Sequence, residues 1–151
     1  MFERYARSAR QALFYARYEA GNHGSRAIET EHVLLGVLSE DEKTVDGLLA
    51  RAQLSRESVL RETESRTAKW SLLTYSTEIP FSVESKRVIQ FAIEEADRLG
   101  RPFVGAEHLL LALLRSKGTV AASILSDLGM RLKVAREGIL AFPNDHLDAP
   151  T

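Results

Sequence analysis

Glu31-His32-Val33-Leu34-Leu35 and Glu107-His108-Leu109-Leu110-Leu111 stand 76 positions apart, and the match between them decides how this 151-residue chain is read. The register extends outward without a gap. Tyr5 falls on Phe81, Arg10 on Lys86, Leu13 on Ile89, Ala16 on Ala92, Glu19-Ala20 on Glu95-Ala96 and Gly24 on Gly100. Further on, Leu38 meets Leu114 and Leu49 meets Leu125. Matched Leu and Ala are common between helical segments; matched Glu-His pairs and matched glycines in a single register are not. The chain therefore reads as a duplication, the first pattern to look for in any sequence.

Each half predicts about four helices. Tyr5, Ala9, Ala12, Leu13, Ala16 and Ala20 recur at three- and four-residue steps, one face of an α-helix that Gly24 would end. Thr30 reads as the N-cap of a short helix over about 31–38, with Glu31 in the first turn at the positive end of the helix dipole. A third helix is expected over about 44–52, and a fourth, capped by Ser55, to about 66. In the second half Ser82 would cap a helix carrying Val88, Ile89, Ala92, Ala96 and Leu99 inward, with Gly100 as its stop. The next three are expected over about 106–115, 119–128 and 132–142, with Gly129 and Pro143 as stops. No stretch alternates as a half-buried strand does. The expected fold is all-α, two tandem four-helix repeats with pseudo-twofold symmetry packed as one domain over 1–142. Repeat one covers about 1–66, a connector about 67–80 and repeat two about 81–142; a loose tail follows over 143–151. Trp70, Leu72, Leu73 and Tyr75 make the connector too apolar for a free linker, so part of it is expected to pack across the surface, with Trp70 and Tyr75 read as packing residues rather than as a binding hot spot.

Composition excludes several function classes. Twenty basic residues against 21 acidic ones leave no excess for sequence-blind binding of phosphate backbones, so no nucleic-acid partner is expected. The absence of cysteine removes disulfides, thiolate nucleophiles and Cys-type zinc sites, and fits a reducing compartment. The start mixes both charge signs without an apolar core, and the longest apolar run, 109–114, is far too short to cross a bilayer. A cytoplasmic protein, monomeric in isolation and without a membrane partner, is the expectation.

The same residues resemble the Clp N-terminal domain, the double repeat at the front of the Clp-type (Hsp100) unfoldases, most closely the ClpC and ClpA branch. The resemblance rests on Phe2-Glu3-Arg4-Tyr5 and Ile79-Pro80-Phe81-Ser82 opening the two repeats. It rests equally on Glu29-Thr30-Glu31-His32-Val33-Leu34-Leu35-Gly36 and Gly105-Ala106-Glu107-His108-Leu109-Leu110-Leu111-Ala112. It covers about 1–142 and implies a module that binds protein substrates and adaptor proteins and serves a Clp ATPase/protease complex. No G-x-x-x-x-G-K-[ST] phosphate loop occurs, so ATP hydrolysis by that route is not expected of this chain, and no cofactor or metal is implied. A free-standing regulator that sequesters substrates or ligands, or braces the protease, is the alternative. A small hydrolase working from the Glu-His pairs is the remote one.

Three readings compete for those pairs. In the first they are structural: Glu suits a first helical turn and His fills a pocket or bonds a loop. In the second they recognise a ligand. The resemblance implies phosphoarginine on marked substrates, with a carboxylate taking the guanidinium in two parallel bonds and a cation or hydroxyl taking the phosphate. The residues assigned to it are Glu107 with Ser82 and Lys86, and Glu31 with Arg10. Glu29, where the family has Gly, would repel a phosphate, Ala6 replaces a family Thr, and Val83 and Glu84 depart from the family pattern at the second opening. In the third they catalyse, but adjacent helical residues point about 100° apart and do not converge on one proton. Arg7, Arg10 and Arg17 are read as a solvated helix face.

Overall fold

A computed structural model of the chain describes residues 2–39, 42–70 and 78–142. These form eight helices: α1 (Arg7–Asn22), α2 (Thr30–Val37), α3 (Lys43–Arg51), α4 (Arg56–Arg66), α5 (Val83–Arg98), α6 (Ala106–Arg115), α7 (Val120–Asp127) and α8 (Leu132–Ile139). No strand occurs among the described residues, and the second four helices repeat the order of the first. Leu72, Leu73, Tyr75 and the tail lie outside the described residues.

The matched glycines perform one matched task. Gly24 and Gly100 take φ of 71° and 67°, a left-handed conformation that L side chains resist. Each lets the next residue donate back into the helix it ends, Ser25 N–H to Ala20 O at 2.9 Å and Arg101 N–H to Ala96 O at 2.9 Å. Both long first helices therefore stop in the same way.

α2 and α6 form the centre. Every residue of α6 from Ala106 to Leu114 is buried, as are Thr30 and His32–Val37 of α2. Helices apolar on all sides must be surrounded by others, and here α1 covers α2 while α5 covers α6. The alanine face of α1 permits a close crossing, and Gly36 sets its limit. A Cβ there would collide with the Ala12 carbonyl oxygen and lie 3.0 Å from Ala16 N. The twin position is Ala112, so the second crossing needs no glycine. We expect Gly36→Ala to lower stability by about 2 kcal/mol, because the obstacle is backbone and cannot rotate aside. Urea unfolding should show an earlier midpoint with an unchanged slope.

Several boundaries differ from the sequence reading. Glu29, not Thr30, is the N-cap of α2; Thr30 is its first residue, and its Oγ1 accepts the Ala121 N–H at 3.3 Å, serving α7. α3 begins at Lys43 behind the cap Glu42, whose carboxylate accepts the Thr44 N–H at 3.3 Å. α8 ends at Ile139 rather than at 142, the chain running on through a turn to Phe142, which packs against Gly47.

Candidate functional site

The two repeats are joined by crossed backbone pairs. Ala6 N–H donates to Val104 O at 2.8 Å and Val104 N–H to Arg4 O at 2.8 Å. Ile28 N–H donates to Pro80 O at 2.7 Å and Ser82 N–H to Ile28 O at 3.0 Å. The two bridges, Tyr5 with Val104 and Ile28 with Phe81, exchange under the 76-residue shift. The start of α1 thus meets the turn before α6, and the start of α5 meets the turn before α2. Each groove is built half from each repeat.

This corrects the pairing read from sequence. Glu31 stands at the far end of α1, where the His32 and His23 rings approach to 5.8 Å. Arg10 is near the start of α1, donating to Tyr5 O at 2.7 Å, about 20 Å of helix away. Likewise Glu107 follows the end of α5, where Arg4 donates to Pro102 O and Arg101 O and pairs with Asp97 at 2.7 Å. Ser82 and Lys86 are at the opposite end of that helix, Ser82 capping it by accepting the Ser85 N–H at 3.1 Å and Lys86 exposed. Glu31 therefore belongs with the Ser82 end, and Glu107 with the Arg10 end. Ser8 of α1 also reaches across, its hydroxyl accepting the Ala106 N–H at 3.0 Å, because the α6 cap Gly105 has no side chain to do so.

Both histidines of the pairs are caps. The Nδ1 of His32 accepts the Glu29 N–H at 2.9 Å, and that of His108 the Gly105 N–H at 2.9 Å. A ring nitrogen here does what Glu or Gln usually does at the third helical position. With Nδ1 accepting, the proton of the neutral ring sits on Nε2. Burial, then the neighbouring His23, depresses the His32 pKa to about 4. A ring held neutral, with its basic nitrogen already engaged, is no general base. The structural reading holds for the histidines.

The carboxylate of Glu31 has a different setting. An open groove of about 730 Å³ runs past it, bordered by Glu29, Glu84, Ala68, Trp70 and Val120, with His32 beneath. Burial, opposed by a bond to its own backbone and aided by repulsion from Glu29, pushes the Glu31 pKa up. Trp70 does not pack as expected: the residue is 61% exposed, while its backbone N–H donates to His23 O at 2.8 Å and fixes the chain at the groove edge. In the other half, Ser8, Glu42 and Ala106 stand at the places of Glu84, Gly118 and Thr30. Glu107 is 5% exposed. Such a groove can bind an extended chain by charge and apolar contact.

Of the arginines read as a solvated face, Arg7 is exposed, but Arg10 is tied to Tyr5 O and Arg17 lies over the Phe81 ring at 5.6 Å. Sequence reading missed Glu95 altogether. It is fully buried on α5 and held by Arg136 at 2.7 and 2.8 Å and by Arg115 at 3.2 Å, the latter stacked 3.9 Å over Phe91. Burial alone would raise its pKa, but the two guanidinium groups outweigh it and hold the carboxyl below the usual range.

A family model described as the Clp repeat (R) N-terminal domain matches residues 4–140. Among curated proteins, "Negative regulator of genetic competence ClpC/MecB" of Bacillus subtilis is 36% identical over 140 residues, 93% of this chain and 17% of that protein. "ATP-dependent Clp protease ATP-binding subunit ClpA homolog" of Guillardia theta is 32% identical over 96% of this chain and 18% of its own length. The chain thus spans about a sixth of the length of these relatives. Among solved structures, the N-terminal domain of the chaperone ClpD from Arabidopsis thaliana superposes with a TM-score of 0.70 at 25% identity, covering 93% of this chain and 95% of that one. The Hsp104 N-terminal domain from Candida albicans gives 0.73 at 18% identity, covering 91% and 90%, a likeness of fold.

Proposed function

The chain belongs to the Clp repeat N-terminal domain family, and on that premise we propose that it is a non-catalytic module binding protein substrates and adaptors for a Clp-type ATP-dependent chaperone–protease system. The observation that carries this reading is the groove at Glu31. It is open, about 730 Å³ in volume, and is assembled from both repeats, with Trp70 exposed on its edge. An exposed tryptophan fixed by its own backbone is a usual anchor for a partner. Having two related sites would raise avidity for clients that span both. A reducing compartment such as the cytoplasm suits a cysteine-free chain of this kind.

The reading is tested by capture of an intrinsically unfolded protein such as casein on the immobilised chain. We expect Trp70→Ala with Glu31→Lys to weaken capture about tenfold, with melting unchanged for Trp70→Ala alone. Equal capture by wild type and double variant would remove the groove from the function.

Phosphoarginine is the sharper form of the same reading, and the crossed geometry reassigns its residues. Glu107 would take the guanidinium, with Arg4, Arg7 and Arg101 at the same end for the phosphate. The Glu31 side offers Ser82 and, one turn along α5, Lys86, but Glu29 and Glu84 oppose a phosphate there. NMR titration with phosphoarginine should therefore shift Ser8 and Glu107 before Ser82 and Glu31. The reverse order would overturn the reassignment.

A further inference from the structure

The grooves are copies, so comparing them position by position shows what each has become. Glu29 stands where the other half has Gly105, and Glu84 where it has Ser8. Two carboxylates have thus been set round the one that both halves share, Glu31 or Glu107. None of Glu29, Glu31 and Glu84 pairs with a Lys or Arg among the described residues; Arg26 on the border is exposed. In the second half Arg101, Lys43, Arg4 and Arg7 replace Ser25, Thr119, Pro80 and Val83; against these stand Glu42 in place of Gly118 and Pro102 in place of Arg26, so the exchange there is basic on balance.

The rest of the Glu31 groove fits a cation as well. Trp70 is exposed on the groove border, and an indole is a favourable partner for a guanidinium. Beneath it His32 is 2% exposed and its Nε2, which carries the proton, has no hydrogen-bond partner. That nitrogen is itself buried under the groove floor, so recognition rests on the carboxylates and Trp70.

We propose that the Glu31 groove binds the unmodified arginine side chain of an extended polypeptide, held by Glu31, Glu29 and Glu84 with Trp70 stacked on the guanidinium, and rejects the phosphorylated side chain. This rests on the peptide-binding reading above and names its ligand. Phosphorylation adds a dianionic group to the guanidinium and makes the side chain negative on balance, so the three carboxylates repel it. The two grooves would then read opposite states of one residue type.

Trp70 is the sole tryptophan of the chain, so its fluorescence reports this groove alone. N-acetyl-arginine amide, its N-phosphorylated form and the citrulline analogue are titrated in turn, with NMR to place the shifts. We expect saturable quenching and shifts at 29–32 and Glu84 with the arginine amide, and at least about tenfold weaker binding of the other two. Glu31→Gln should weaken the arginine amide about tenfold, and the exposed Glu84→Gln, which leaves folding intact, about threefold. Trp70 silent at millimolar arginine amide, or responding equally to the phosphorylated form, overturns the proposal. Casein capture run alongside separates the two failures. Capture with a silent Trp70 sinks this inference alone; loss of both sinks the peptide-binding reading too.

Discussion

Glu95→Ala is expected to cost about 3 kcal/mol of folding free energy, the largest loss for any single polar side chain described here. The carboxylate has no exposure and ties α8 to α5 through a two-bond fork with Arg136, while Arg115 joins it to α6. Removing it leaves two guanidinium groups without their counter-charge. Each retains about a quarter of its exposure (26% and 25%), so water takes back part of the loss and the cost stays at the lower end for a broken buried pair. For a chain of this size the melting temperature should fall by about 10 °C. Glu95→Gln should lose less, since it keeps an acceptor. The clamp is not duplicated: the twin carboxylate Glu19 has Ser39 and Leu60 where the arginines would be, and burial pushes its pKa up instead. Glu19→Ala should therefore cost much less than Glu95→Ala. Equal losses in thermal melts of the two variants would show that the arginines contribute nothing.

Acid should weaken the fold before any carboxylate of ordinary pKa titrates. His32 falls from 6.5 to about 4 on folding because burial disfavours its charged form. Between those pH values the unfolded chain binds a proton that the folded chain does not. Stability then drops as pH falls through the window, by about 3 kcal/mol in all. Glu31 acts in the opposite sense. Its raised pKa adds stability below the normal carboxylate range, and that contribution is lost as pH rises through its folded pKa. Glu95, depressed, loses its contribution at still lower pH. Urea unfolding at pH 7, 6, 5 and 4 should show the slope, and His32→Gln, which can still accept the Glu29 N–H, should flatten it. An unchanged slope would place the proton uptake elsewhere.

The helices were legible because their signals are local. Gly24, Gly100 and Gly129 stop where a left-handed residue is needed, and Ser55 and Ser82 cap where their hydroxyls reach the first turn. The duplication was legible because it preserved Glu-His and glycine in register. Thr30 misled because the backbone N–H its hydroxyl accepts belongs to α7, 91 residues away, and not to the first turn of its own helix. The grooves were misassigned for the same kind of reason: similarity between repeats says that two halves share a shape, not which half supplies each wall. Nothing in the spacing of Tyr5 and Val104, or of Ile28 and Phe81, announces a bridge. Glu95 was silent because one of its partners, Arg136, is 41 residues on. Trp70 is apolar by composition, and its exposure beside His23 depends on a backbone contact 47 residues away in sequence, which no local pattern announces.

The crossed bridges also bear on ancestry. An isolated half would own the start of a long helix and a Glu-His turn, yet could not close them on each other. Its natural remedy is a second identical polypeptide, each lending its opening segment to the other. The duplicated gene thus looks like a tethered form of an ancient self-associating ancestor. Residues 2–70 and 78–142 supplied as separate fragments should find each other in solution and restore both walls, by complementation.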